Sequence, residues 1–387
     1  MATHNPPPSP RSTRHLDGLR GLASVIVFIH HYINNFTLGQ HAYGFGQHGS
    51  HYNFVALPFV RIIWQGGDAS VVIFFILSGY VLSIAHLRRL QDTQSSSDRR
   101  DMWRRLLSAA VRRPVRLYLP CLVVSFATAM LLHIPGPLLI SVSHLKPQEG
   151  GIWAEVAHYC TQSWSFFNPF RSHSNAYWQW YPYNMVMWTI PIELKGSFLV
   201  FCSLAFLTLV LRPGAGQRHA AIVAASLVCI AGILLQMCWK WSMACFLLGI
   251  VLPMFDAWPM DEGWWQALPQ DAQKIAKHGI FFLGWYLLCQ PANTGNMSYS
   301  AETPGWKWLT SAIPSGYSAD NYYRYWQSWG AFLFVYGILR ISWLQQSLSR
   351  RPLLFLGEVS FMLYLVHLPM ISILGFRLGN LILVLLV

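Results

Sequence analysis

Arg20 and His31 sit eleven residues apart across the first apolar stretch of the chain, within His15-Leu16-Asp17-Gly18-Leu19-Arg20-Gly21 and the run that ends at His30-His31. In an α-helix that spacing is about three turns, so both side chains share one face roughly 16 Å apart along the axis. If the helix crosses a membrane, Arg20 lies at its basic, water-facing end and His31 well inside. A histidine in an apolar span is costly to leave unpaired and faces either a bundle interior or a wet cavity. Neutral imidazole takes a proton from a hydroxyl near physiological pH. A guanidinium clamps phosphate, although at an interface it also snorkels to headgroups. The pair therefore suits transfer of a group from a phosphate-bearing donor.

Other polar residues are placed to support such chemistry. Asp17 is one turn before Arg20 and positioned to pair with it. Glu193 follows Trp188-Thr189-Ile190-Pro191-Ile192, where a carboxylate at a membrane-helix start marks a functional site or pairs locally with Lys195. Its expected role is to orient His31 or the acceptor. Asp68 precedes Val71-Val72-Ile73-Phe74-Phe75-Ile76-Leu77-Ser78-Gly79-Tyr80 and is either a helix N-cap or a further polar partner. Ser78 and Gly79 suit close approach of a second helix. Arg112, Arg113 and Arg116 abut the third apolar span and read as topology determinants or as a cradle for a nucleotide diphosphate. His30 points about 100° away from His31 and reads as packing. His41, His48 and His51 lie in a Gly-rich loop and read as solvated, so no metal site is expected.

The elements that must position these groups follow from composition. The chain is 54% hydrophobic, only 11% charged and contains 18 Trp. Soluble domains are about a quarter charged, and with several long apolar runs the expectation is an all-α, polytopic transmembrane bundle of about nine to ten spans. Apolar stretches fall near 22–37, 70–87, 115–135, 186–211, 220–237, 241–257, 278–290, 329–346, 353–371 and 376–387. The net charge of +12 is concentrated between these spans, which makes it a topology signal rather than a nucleic-acid footprint. Arginines crowd the segment 87–116, so this basic loop and the polar, proline-broken tail 1–14 are assigned to the cytosol. Residues 15–387 form the membrane domain. The tail lacks the apolar core and cleavage site of a signal peptide, so the first span is expected to be retained. Loops 136–185 and 291–328 then face outward, rich in aromatic residues that serve as an interfacial belt or floor an acceptor pocket. A sequon at Asn296 falls on that side and is an expected glycosylation site. Seven cysteines show no CxxC spacing, and a pairing of Cys160 with Cys289 stays open.

Five motifs, in order, resemble the acyltransferase type 3 family of integral membrane O-acyltransferases, and its fungal branch in particular. Leu16-Asp17-Gly18-Leu19-Arg20-Gly21 with His31 resembles the family's arginine, ten residues, histidine signature. Phe74-Phe75-Ile76-Leu77-Ser78-Gly79-Tyr80 resembles its second-helix motif, and Arg112-Arg113-Pro114-Val115-Arg116-Leu117-Tyr118 its basic lead into the third helix. Trp188 to Glu193 is similar to Trp-Ser-Leu-x-Val-Glu, and Gly357-Glu358-Val359-Ser360-Phe361-Met362-Leu363-Tyr364-Leu365-Val366-His367 to Gly-x-x-Ser-x-x-x-Tyr-x-x-His. The resemblance implies acyl transfer from acyl-CoA, often acetyl-CoA, to a hydroxyl of a sugar or small molecule, with no bound cofactor. It implies His31 and Arg20 as the family's histidine and arginine, and a secondary-metabolite pathway in an endomembrane such as the endoplasmic reticulum. Where bacterial members carry an aspartate before the Phe-Phe pair, this chain has Val72, with Asp68 one turn earlier. A cell-wall or carbohydrate O-acetyltransferase and, from another class, a membrane transporter are the alternatives.

Overall fold

The computed structural model describes residues 13–37, 43–92, 96–134, 147–168, 181–211, 215–292 and 295–372, and among these every regular element is a helix. Ten helices carry the architecture: α1 Arg14–Thr37, α2 Gly67–Asp92, α3 Ser96–Leu131, α4 Gly151–Phe167, α5 Thr189–Val210, α6 Gln217–Gln236, α7 Trp241–Ala257, α8 Gln270–Leu288, α9 Tyr323–Arg340 and α10 Arg351–Met370. The N-terminal tail, His41, the aromatic residues Tyr177, Trp178 and Trp180, and the last apolar stretch 376–387 lie outside the described residues.

Five of the described helical segments are long and apolar enough to cross a membrane: Gly67–Asp92, Asp98–Leu131, Met185–Val210, Gln217–Gln236 and Arg351–Met370. The expected nine to ten is therefore not reached on length and composition. α7 is apolar but short, at 17 residues. In α1 the apolar run is diluted by Asp17, Arg20, His30, His31 and Asn34, and in α8 by Asp271, Lys274 and Lys277.

The centre is α2. It is apolar around most of its circumference, and such a helix is stable only when enclosed. Accordingly α1, α5, α7 and α9 pack against it, and its residues are buried from Ala69 through Tyr80 except Phe74 and Ser78, then on one face as far as Leu90. The tightest crossing is with α7, where Gly79 meets Gly249: a Cβ on either would run into the backbone of the other. Without a hydrophobic drive between helices in lipid, this approach of two backbones supplies the packing that holds them.

A second glycine pair sets a register. A Cβ on Gly21 of α1 would strike the backbone of Gly357 in α10, and one on Gly357 would strike the Asp17 carbonyl. From Gly21 to His31 is ten residues, as it is from Gly357 to His367. The two helices run parallel, so contact at the glycines brings the histidines together about 15 Å further along.

The basic segment 87–116 is helical almost throughout, forming the end of α2 and the first part of α3. Further along, Leu107, Val111, Val115, Leu119 and Val123 are all exposed at four-residue spacing, an apolar stripe on α3 that suits hydrocarbon. The segment 136–185 contains α4, and 291–328 contains the short helices Ser298–Ala301 and Lys307–Ser311. Its aromatic residues divide: Trp153, Trp164 and Trp308 are exposed, whereas Tyr181, Tyr183, Trp306, Tyr322 and Tyr323 are buried. Cys160 is exposed, Cys289 is buried, and both are free thiols. Asn296 is exposed and its Oδ1 accepts from the Ser298 amide at 2.9 Å, so it sits in a local turn.

Beyond the end of α7, Asp261 ties the bundle to the last turn of α9. Arg340 donates to its carboxylate from Nε at 2.7 Å and from Nη2 at 3.1 Å, Tyr336 at 2.6 Å and Trp265 at 2.9 Å. Burial pushes the Asp261 carboxyl up, but these hydrogen bonds, Arg340 foremost, outweigh it and hold it below the usual carboxylate range. A carboxyl depressed in the folded state stabilises above its unfolded pKa of about 3.9 and loses that contribution as the pH falls through the lower folded value. Thermal unfolding in detergent is thus expected to weaken below about pH 4. Asp261→Asn should be less stable at neutral pH but show a flatter acid limb.

Candidate active site

Two cavities are stacked along α1. The larger, of about 300 Å³, is lined by Arg20 of α1, Ser78 of α2, Arg113 and Arg116 of α3, Glu193 of α5 and Glu358 of α10. Arg20 Nη2 donates to Asp17 Oδ1 at 2.9 Å, the one-turn pairing expected from their spacing, and approaches the Gly357 carbonyl at 3.5 Å. Its Nε is buried without a partner. Arg113 Nη2 donates to Glu193 Oε1 at 2.6 Å and its Nε to Ser197 Oγ at 3.1 Å. A guanidinium carries five donors, so Arg20 and Arg113 keep several for an anion. Arg116 lines the same space and is exposed.

Two of the expected site residues are not brought together with the groups named for them. Arg112 does not line the cavity: it is exposed, and its Nε donates to the Ser108 carbonyl of its own helix at 3.1 Å. The reason is geometric, since it points about 100° away from Arg113. Glu193, expected to orient His31 or the acceptor, is not brought to His31. It lies level with Ser78, ten residues along α2 from Asp68, which is about 15 Å, and its carboxylate is engaged with Arg113.

The smaller cavity, of about 190 Å³, is lined by His30, His31, Asp68, Trp188 and apolar residues. Val71 and Tyr364 line both cavities and form the wall between them. Tyr364 is held there by its hydroxyl, which donates to the Val186 carbonyl at 2.6 Å and lies 2.8 Å from Thr189 Oγ1. The short 3₁₀ turn Met185–Trp188 that presents Val186 is capped by Asn184, whose Nδ2 donates to the Leu365 carbonyl at 2.8 Å. Pro191 follows in the first turn of α5, where its missing amide hydrogen costs nothing.

His31 thus faces a chamber, as its position on α1 predicts. Neither of its ring nitrogens is hydrogen-bonded to a described residue; its ring packs 5.3 Å from His30 and 5.1 Å from His367 between centroids. His30, expected to be mere packing, lines the same chamber. Its Nε2 accepts from Asn34 Nδ2 at 3.1 Å, and Asn34 in turn accepts from Gln65 at 3.2 Å. An imidazole with an open nitrogen beside a small cavity can receive a hydroxyl proton.

Asp68 occupies the first turn of α2 and lines the chamber, while Val72 is fully buried and faces neither cavity. The Asp68 carboxylate accepts from Arg324 Nη2, and its backbone carbonyl accepts from Nη1 at 2.6 Å. Arg324 of α9 is 1% exposed, and its guanidinium lies over Trp241 at 4.7 Å, Tyr323 at 5.0 Å and Trp188 at 5.7 Å. Three aromatic faces and a carboxylate together replace the water this cation has lost. Arg324 was not singled out from the sequence. Its signal is a lone cation in Tyr322-Tyr323-Arg324-Tyr325-Trp326 at a helix start.

The helical bundle thus holds a cationic cavity stacked on a histidine-lined chamber. The family model for the acyltransferase domain matches residues 14–387, nearly the whole chain. The chain therefore belongs to this acyltransferase family, as the five motifs imply. It is 26% identical to the O-acetyltransferase PaAT-1 of Phomopsis amygdali, over 95% of this chain and 74% of that protein. It is 23% identical to the acyltransferase clz18 of Cochliobolus lunatus, over 94% of this chain and 84% of that protein. No solved structure matches it significantly.

The Asp68–Arg324 pair makes a clear prediction. Removing one partner leaves an uncompensated buried charge, so Arg324→Met should cost about 3–5 kcal/mol. Asp68→Asn combined with Arg324→Met should recover much of that loss. Thermal unfolding of the three detergent-solubilised variants checks it.

Proposed function

We propose that this protein transfers an acyl group, acetyl in the first instance, from acyl-CoA to a hydroxyl of a small-molecule acceptor. The observation that carries the reading is the stacking of an arginine-lined cavity on the His31 chamber with Val71 and Tyr364 as their shared wall. The family supplies the reaction class, and the printed name of the Phomopsis relative, an O-acetyltransferase, favours acetyl.

In this reading the phosphates of acyl-CoA rest on Arg113 and Arg116, and the pantetheine arm passes Arg20 toward Val71 and Tyr364. Guanidinium groups suit these anions because they offer several donors in a fixed plane. Glu193 holds Arg113 in place rather than touching the reacting atoms. The acceptor hydroxyl enters the smaller chamber and gives its proton to His31. Its oxygen bonds to the thioester carbonyl carbon, the carbon–sulfur bond breaks, and His31 returns the proton to the departing thiolate. Asp68, Arg324 and Tyr364 fix the walls around this event.

The basic face that carries Arg113 and Arg116 is assigned to the cytosol, where acyl-CoA resides, which places the N-terminus there as well. The chamber volume suits an acceptor that inserts one hydroxyl-bearing edge. A secondary metabolite, in the endoplasmic reticulum or another endomembrane of a fungus, fits this better than a polymer. Asn296 is then an outward-facing glycosylation site.

Labelled acetyl-CoA supplied to membranes bearing the chain, with a panel of hydroxylic acceptors, tests the proposal. His31→Ala should lower transfer by at least about 100-fold while the protein stays inserted. Arg116→Ala should raise the KM for acetyl-CoA about tenfold with kcat nearly kept. Near-normal turnover by His31→Ala, or solute transport by purified protein without CoA, would overturn it.

A further inference from the structure

Packed against His31, behind the residues that line the chamber, is a further histidine whose arrangement the reaction just described leaves unused. His367 of α10 is 1% exposed. Its Nδ1 lies 2.7 Å from the Tyr364 carbonyl oxygen. A carbonyl can only accept, so Nδ1 carries the ring hydrogen and, in the neutral ring, Nε2 carries the lone pair. That Nε2 is buried and has no hydrogen-bond partner. Such an atom is rare in a folded protein and calls for an account.

The group nearest in kind is His31. The two rings are 5.1 Å apart between centroids and inclined by 34°. His31 is likewise without a hydrogen bond to any described residue, and as a neutral ring it has one N–H to give. A buried acceptor lacking a donor therefore packs against a donor lacking an acceptor. The glycine contact between Gly21 and Gly357 fixes this pairing from a distance, because it sets the register of α1 on α10. The other titratable or charged groups facing His31 are otherwise engaged. Asp68 is bonded to Arg324, and the Tyr364 hydroxyl to Val186 and Thr189; His30 also has a buried, unpartnered Nδ1, but with its Nε2 accepting from Asn34 that Nδ1 carries the hydrogen of the neutral ring and cannot accept from His31.

We infer that His367 is the positioning residue for His31: a small turn of the two touching rings lets its Nε2 accept the His31 ring N–H, which fixes the tautomer and leaves the other His31 nitrogen with its lone pair in the smaller chamber. The inference rests on the reading of His31 as the base. His367 takes no proton in the reaction. The acceptor proton moves to His31 and from there to the departing thiolate, while His367 holds the imidazole in one orientation throughout. This is the part a carboxylate plays beside a catalytic histidine in many hydrolytic enzymes, performed here by a neutral ring that an apolar setting tolerates.

Two measurements on the full-length protein in nanodiscs test this, on wild type, His367→Leu and His367→Gln. In the transfer assay, His367→Leu should lower kcat by about a hundredfold, the low end of what a positioned base supplies, with the KM for acetyl-CoA unchanged. His367→Gln, which keeps an acceptor atom, should recover most of that loss. In nitrogen-15 spectra of labelled histidine, His31 should show a single tautomer in wild type and in His367→Gln, and a mixture in His367→Leu. An unchanged His31 tautomer in His367→Leu overturns the inference even if acetyl transfer is confirmed. A tautomer that responds in a protein with no transfer activity supports the histidine pair and counts against the proposed reaction instead. The spectra also report whether His367→Leu is folded, and if it is not, a Gln variant with wild-type kcat and tautomer supports the pairing, whereas one as impaired as Leu overturns it.

Discussion

Two helix backbones touching at Gly21 and Gly357 set the geometry on which the rest of the site depends. In a lipid-facing protein the drive to bring helices together is weak, and close packing of small residues has to supply it. The contact does more than hold α1 against α10. Because both helices rise by the same increment per residue and run the same way, it acts as an origin from which every later contact follows. Arg20 falls beside Gly357, and His31 falls beside His367. A side chain at either glycine would have to push the helices apart or slide them, and both cavities would change shape together.

Around this seam the remaining helices supply single groups. α3 brings Arg113 and Arg116 to one cavity, α5 brings Glu193 to hold Arg113, and α9 brings Arg324 to hold Asp68 at the other. Arg113 faces Glu193 and Arg324 faces Asp68, so these ionised groups sit at depth without leaving either partner uncompensated. His31 and His367 form the neutral exception. Uncharged imidazoles cost less to bury and leave proton-accepting capacity in the smaller chamber, whereas the anion-binding capacity is confined to the larger one. The division of labour between the cavities is therefore electrostatic as well as spatial.

Much of this was legible in the sequence. Helical periodicity put Arg20, Asp17 and His31 in correct relation, and the apolar run after Asp68 announced the buried central helix. Ser78-Gly79 marked the close crossing with α7. These are features of one helix at a time, governed by local rise and rotation. What could not be read was partnership across long separations: Arg113 with Glu193, Asp68 with Arg324, and His31 with His367. Glu193 was expected to serve His31 because both are polar groups in apolar surroundings, yet nothing in a linear pattern says at what depth a helix begins. Five of the described helices meet the length and composition of a span, and the apolar stretches interrupted by Arg20, His30 and His31, or by Lys274 and Lys277, fall outside that group because of those polar residues. The spacing that would have disclosed the histidine pair was present, since Gly21 to His31 and Gly357 to His367 are both ten residues.

The Asp68–Arg324 couple bears on how the protein is made. Asp68 emerges from the ribosome 256 residues before Arg324, and at synthesis rates of about 5–20 residues per second that is an interval of roughly 13–50 s. During it, a carboxylate at the start of the central helix has no cation to meet. The seam between α1 and α10 is open for longer still. The final helices complete cavities whose first residues were laid down long before. Nascent chains cut short before α9 have neither chamber closed. Closure of both cavities is thus completed only at the end of translation.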